Sequence, residues 1–191
     1  MKPVERNEIL DLAEYEKVRE HFRNRVILEK KTRRVSVGPY MTLLFENHDT
    51  VLLQIQEMLR TERITRESSV AHEIETYNEL LGGPNELGAT LMIEIPDAAV
   101  RDAFLVQAKG IEKHVVLRIG ALSCRATWDP NRASQDQASA VTYLKFPIGA
   151  EGSAALKSGA PLRIVTDHPD VALDVPLPSS LAGILAEDIG A

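Results

Sequence analysis

One cysteine, Cys124, is all the thiol chemistry that these 191 residues offer. A lone thiol excludes an intramolecular disulfide, a thiolate zinc site and a cysteine-ligated iron–sulfur cluster held within one chain. Any redox centre that this protein serves is therefore expected to belong to another molecule. Also missing is an apolar run approaching the roughly 18 residues that a membrane span requires, because charges interrupt every one. The N-terminus, Met1-Lys2-Pro3-Val4-Glu5-Arg6, turns acidic after a single lysine and has no apolar core. A signal peptide is not expected, and the expected location is cytoplasmic.

The histidines, His21, His48, His72, His114 and His168, are scattered. No two share the i, i+4 spacing that lets one helix face grip a metal, and no Glu-x-x-His pair of the di-iron bundles occurs. Neither a metal nor a cofactor is expected. A phosphate-cradling loop is missing too, since Gly82-Gly83-Pro84 contains a residue without an N–H and Gly149 to Gly152 precedes no strong helix signal. There is no G-x-S-x-G nucleophile turn. An excess of positive charge is likewise lacking: the net charge of −6 argues against a general nucleic-acid binder, whose affinity rests on neutralising phosphates.

What is present reads as a globular chain, 44% hydrophobic and 26% charged, of a length that suits a single domain over residues 1–191. Residues 1–84 read as mainly helical and 85–191 as strand-rich with short helices. The fold class expected is α+β, with a helical N-terminal half packed on a mostly antiparallel C-terminal half.

Leu12, Tyr15, Val18, Phe22 and Val26 form an amphipathic stripe that predicts a helix from Asn7, its cap, to about Leu28. Val35 to Phe45 reads as a strand or bent hairpin around Gly38-Pro39. Asn47-His48-Asp49-Thr50 opens a second helix running to about Ile64, and a third spans about Glu67 to Leu81. Glu62 falls on the apolar arc of the second helix, so either the helix has ended by then or this carboxylate has a buried partner. Strands follow at Leu87 to Ile95, Val115 to Ile119 and Leu122 to Trp128, the last two joined by Gly120-Ala121 as a two-residue turn. Alternation puts Leu122, Cys124, Ala126 and Trp128 on the inner face. Asp97 caps a short helix, and Asp129 to Ser139 is a polar loop of a length that is usually functional or mobile. Ala140 to Phe146, Leu162 to Val165 and Val171 to Val175 complete the strands, and a helix over Ser180 to Ile189 closes the chain.

Two polar groupings carry candidate chemistry. From Arg23 to Arg34 six cations face one anion, a local charge of +5 that can mark a docking surface, with Arg33 and Arg34 at its end. Glu46, Gln54, Gln56, Glu57, Arg60 and Arg63 gather on the second helix and its approach, where they can line a polar cleft or form an ordinary solvated face.

The stretches Arg33-Arg34-Val35-x-Val37-Gly38, Phe45-Glu46-Asn47-x-x-Thr50 and Gln54-Ile55-Gln56-Glu57-Met58-x-Arg60-x-Glu62-Arg63-Ile64 resemble an uncharacterised bacterial family, domain of unknown function 3501. Glu73-Ile74-x-x-Tyr77-Asn78-x-Leu80 and Leu87-x-Ala89-Thr90-Leu91-x-Ile93-Glu94 extend the similarity over most of the chain. The resemblance implies genes beside those for a rubrerythrin-like protein and an iron–sulfur protein like heterodisulfide-reductase subunits, and so a redox-associated role in peroxide or electron-transfer metabolism. It supplies no catalytic residues.

Two functions are thus in view. One is an accessory protein that docks on a rubrerythrin-like or iron–sulfur partner through the basic segment Arg23 to Arg34, with Arg33 and Arg34 foremost, and the Gln54 to Arg63 face. The other is a small-molecule enzyme or ligand sensor with a polar cleft around Glu46, Gln54, Glu57 and Arg60.

Overall fold

The computed structural model describes residues 1–132 and 136–190. Helix α1 (Leu12–Arg33) starts where the Asp11 carboxylate accepts the Glu14 N–H at 2.8 Å, not at Asn7, because Arg6–Glu8 form a separate 3-10 turn. It runs on through the basic stretch, which contains no glycine or proline and places Lys30, Lys31 and Arg33 at the negative end of the helix dipole. Only part of the expected stripe is covered: Tyr15 and Val26 are buried, whereas Val18 is 44% exposed.

Strands β1 (Arg34–Val37) and β2 (Met41–Phe45) form the hairpin around Gly38-Pro39. Helix α2 (His48–Thr61) opens with a reciprocal cap, Asn47 accepting from the Thr50 N–H while the Thr50 hydroxyl accepts from the Asn47 N–H. Glu62 lies past its end and is exposed, so the carboxylate escapes the apolar arc. Helix α3 (Glu67–Asn78) leads into Gly82-Gly83-Pro84 and then β3 (Glu86–Ile93). Here Gly88 is obligatory, since a Cβ on it would sit 1.9 Å from the Leu80 carbonyl oxygen.

Asp97 caps α4 (Ala98–Gln107) as its sequence suggests. Strands β4 (Val115–Ile119) and β5 (Leu122–Arg125) pair across Gly120-Ala121. Strand β6 (Val141–Pro147) is followed by α5 (Gly149–Lys157), a helix that the two glycines conceal in the sequence. Gly152 is there for space: a Cβ on it would lie 2.8 Å from that of Ile148. Strands β7 (Leu162–Asp167) and β8 (Ala172–Pro176) and helix α6 (Ser179–Gly190) complete the described residues. Of the polar loop, Pro130–Arg132 form a 3-10 turn, and residues 133–135 lie outside the described residues.

The strands form two antiparallel four-stranded sheets in the orders β1-β2-β3-β6 and β5-β4-β7-β8, which with the helices make an α+β fold. Strands β1 and β2, from the first half of the sequence, lie in the same sheet as β3 and β6 from the second. One buried cluster spans both sheets, joining Leu43, Phe45 and Phe146 to Leu117 and Ile164, with Leu181 and Leu185 of α6. A second cluster, Val51, Ile55, Leu59, Val70, Leu80 and Leu81 with Val4 and Ile9, gathers under α2 and α3. The consecutive buried residues of β2 and β3 follow from this, since a sheet covered on both faces loses its polar alternation. A second tie crosses β4: Asp167 of β7 accepts from Arg125 of β5 and lies 2.8 Å from His114 Nδ1. Arg125 first, then His114, holds the Asp167 carboxyl well below the usual carboxylate range.

Cys124 sits on the inner face of β5 at 9% exposure, as its alternation predicts, and burial pushes its thiol pKa up. A protonated, covered thiol reacts slowly. Cys124→Ser is expected to lower stability by about 1 to 2 kcal/mol in chemical denaturation, the cost of a hydroxyl on an apolar face, and the folded wild type should label slowly with thiol reagents.

Candidate functional site

Arg33, the last residue of α1, is 5% exposed and points to α6, where Asp188 receives it in a two-pronged pair of 2.6 and 2.9 Å. Its Nε also reaches Glu29 at 3.2 Å, and Glu29 accepts from the Asn47 side chain that caps α2. The docking role expected of Arg33 is therefore not available in this fold, because its guanidinium is spent on carboxylates of the same chain. Desolvation disfavours the charged guanidinium, but Asp188 and Glu29 outweigh it and leave the pKa raised. Arg34 points the other way, with a 44% exposed side chain 3.6 Å from Glu94.

The second grouping disperses as well. Glu46 is buried at the junction of β2 and α2, its two oxygens accepting from the hydroxyls of Thr50 and Thr90 at 2.5 Å each. Glu57 faces α1, where it accepts from Arg19 Nε and Nη2 at 2.8 Å and from the Tyr15 hydroxyl at 2.7 Å. Arg19 lowers the Glu57 pKa, and burial, helped by Glu57, raises that of Tyr15. Arg60 binds Glu16 of α1 at 2.5 Å, and Gln54 lies beside Tyr77 of α3. Gln56 turns inward to the backbone of Leu10. Arg63 is exposed beyond the end of α2 with φ +53°. Periodicity placed Gln54, Gln56, Glu57 and Arg60 on one helix, yet Glu57 and Arg60 close the seam between α1 and α2 and do not form the wall of a cleft.

A cleft of about 460 Å³ opens elsewhere, where the two sheets meet. Past the end of β5, Thr127 pairs with Lys145 of β6 by mutual backbone hydrogen bonds of 2.8 and 2.9 Å. The next residue, Trp128, is the single tryptophan of the chain and lines the gap opposite Tyr143 of β6. Ser139, Thr142 and Lys145 contribute polar groups to the same walls. Glu112 lies in the 3-10 turn Ile111–His114 that precedes β4, entered through Gly110 at φ +81°, a conformation that favours glycine. This turn sends Ile111 fully into the core and brings Glu112, 7% exposed, to the cleft.

A smaller hollow of about 220 Å³ lies between α1 and α2, lined by Val18, Phe22 and Leu52. At its edge His48 Nε2 comes within 3.1 Å of Glu8 Oε1, though without hydrogen-bond alignment. Among the described residues no group of three or more His, Cys, Asp or Glu side chains could hold a metal ion. Nor is any described helix long and apolar enough to cross a membrane.

These features define an α+β protein of two joined antiparallel sheets with a cleft at the joint. The chain belongs to the family described as Protein of unknown function (DUF3501), whose model matches residues 3–189. It is similar to a protein of unknown function from Burkholderia pseudomallei K96243, with 36% identity and a TM-score of 0.92 over 98% of this chain and 100% of that one. No curated protein matches the chain.

None of Glu112, Trp128, Tyr143 or Lys145 was singled out by sequence. A signal existed in Trp128, the lone tryptophan at the mouth of a long polar loop. Glu112 carried none, for a glutamate two residues past a glycine and next to a lysine reads as a solvated turn.

Charge reversal separates the two arginines. Arg33→Glu is expected to cost about 3 to 5 kcal/mol or prevent folding, because it leaves Asp188 buried without its partner. Arg34→Glu is expected to stay within about 0.5 kcal/mol of the parent, as for an exposed ion pair. Thermal and urea denaturation of the two single variants measures both.

Proposed function

We propose that this protein binds a small molecule in the cleft between its two sheets. The observation that carries the reading is the cleft itself: about 460 Å³, with aromatic side chains and a few polar groups on its walls. Ligand sites are commonly of this size, mostly apolar with a few placed polar groups, and the joint between structural units is a frequent location. Trp128 and Tyr143 offer flat apolar area at little entropic cost, while Ser139, Thr142 and Glu112 offer groups that orient a ligand.

The accessory reading, docking on a rubrerythrin-like or iron–sulfur partner, keeps Arg34 and the exposed cations of the same basic segment and loses Arg33. Arg23, Lys30 and Lys31 of α1 make no ion pair among the described residues, and with Arg34 they could attract an acidic surface. Such a partner and the cleft's ligand are compatible, because the two surfaces are built from different elements.

The cleft reading is tested with a chemically varied set of cationic, anionic and neutral small molecules, followed by Trp128 fluorescence and by melting temperature. At least one class is expected to shift the emission saturably and to stabilise the protein, by about 2.7 kcal/mol at a hundred times its Kd. Ser139→Phe, which fills the gap without adding a second tryptophan, should abolish both responses, whereas Arg60→Ala should leave them. A set that moves neither signal in the wild type would overturn the reading.

A further inference from the structure

Charged and polar side chains that fold inward need partners, because an unpaired carboxylate away from water is among the costliest groups to bury. Nearly all of those buried among the described residues have one. Arg33 and Asp188 hold each other, Glu46 is bound by two threonine hydroxyls, and Gln56 bonds the Leu10 backbone. His168 accepts the Asp170 N–H at Nδ1, so that its Nε2 carries the proton toward the Lys109 carbonyl at 3.0 Å. Glu112 is the exception: the residue is 7% exposed, its carboxylate has no hydrogen-bond or ion-pair partner among the described residues, and its oxygens keep contact with solvent at the wall of the cleft.

Its surroundings indicate what would satisfy it. Lys145, the cation on the same walls, is turned to Glu86 at 3.9 Å and makes no ion pair with Glu112. The carboxylate is an acceptor alone when ionised, so a ligand that meets it must bring N–H or O–H donors, and a positive charge makes such bonds about twice as strong. A bare metal ion fits poorly, since among the described residues no group of three or more His, Cys, Asp or Glu side chains could hold one. Trp128 and Tyr143 supply faces for hydrocarbon, and both rings attract a cation.

We propose that the cleft takes a small organic cation, an alkylammonium or alkylguanidinium, whose N–H groups donate to Glu112 while its hydrocarbon part lies against Trp128 and Tyr143. This rests on the reading of the cleft as a ligand site and adds the chemical class. Glu112 is then the specificity-determining residue: a neutral ligand would leave it unpaired and an anionic one would be repelled. The Gly110 turn is what holds it in place.

The test compares n-butylammonium, n-butylguanidinium, n-butanol and butyrate on the full chain at neutral pH, with Trp128 fluorescence as the readout. Both cations are expected to saturate the signal, with the alcohol and the carboxylate at least tenfold weaker. Glu112→Gln, of the same shape without the charge, should weaken the cations about tenfold at unchanged melting temperature, and Glu112→Asp should keep the preference for cations. If Glu112→Gln fails to fold, the four probes on the wild type and on Glu112→Asp decide. Butanol or butyrate binding as tightly as the cations, or a folded Glu112→Gln binding them like wild type, would overturn the proposal. So would silence of both cations. In each of these cases a ligand of another class that still moves Trp128 leaves the cleft standing, and only silence of the whole varied set removes both.

Discussion

The buried pair between Arg33 and Asp188 ties the two ends of the described chain together. Arg33 closes α1 and leads directly into β1, the first strand of one sheet, while Asp188 stands in α6, whose Leu181 and Leu185 lie in the core shared by both sheets. Through Glu29 the same network reaches the Asn47 cap of α2. A pair of this kind adds little over an apolar contact of equal volume, yet removing either member strands a charge in a dry interior. It acts as a register: α6 can close on the core in the position that lets Asp188 meet the guanidinium fork.

The cleft is a consequence of how the sheets join. Where all strands pair continuously, backbone hydrogen bonds pull neighbours to about 4.8 Å and leave no room between them. Here β5 and β6 meet through the Thr127 and Lys145 bridge, and beside it side chains rather than backbone form the walls. The fold thereby positions Trp128, Tyr143 and Glu112 from three separate stretches of chain. Groups that stand on or beside paired strands and on a glycine-set turn are held more firmly than groups on a free loop.

The helix face that attracted attention in the sequence has a different part. Glu57 and Arg60 fasten α2 to α1, with Tyr15, Arg19 and Glu16 as partners. Amphipathic periodicity shows which side chains share a face but is silent about what covers it. A polar stripe that meets a second polar stripe across a helix seam has the same pattern as one that meets water or a ligand.

Local rules determined much from sequence alone. The Asn47 and Asp97 caps, the turn at Gly120-Ala121, the inward face of Cys124 and the α+β class each follow from a few neighbouring residues, because caps, turns and strand alternation are short-range physics. Tertiary structure decided the rest. Helix α5 forms over two glycines because packing against Ile148 requires Gly152, and β1 and β2 join β3 and β6 in a sheet that no local signal specifies. Arg33 finds its partner 155 positions away, and Glu112 and Trp128 become neighbours of one cleft only when the sheets meet. Charge and burial at such positions depend on contacts between residues distant in the chain, and those contacts exist only in the folded molecule.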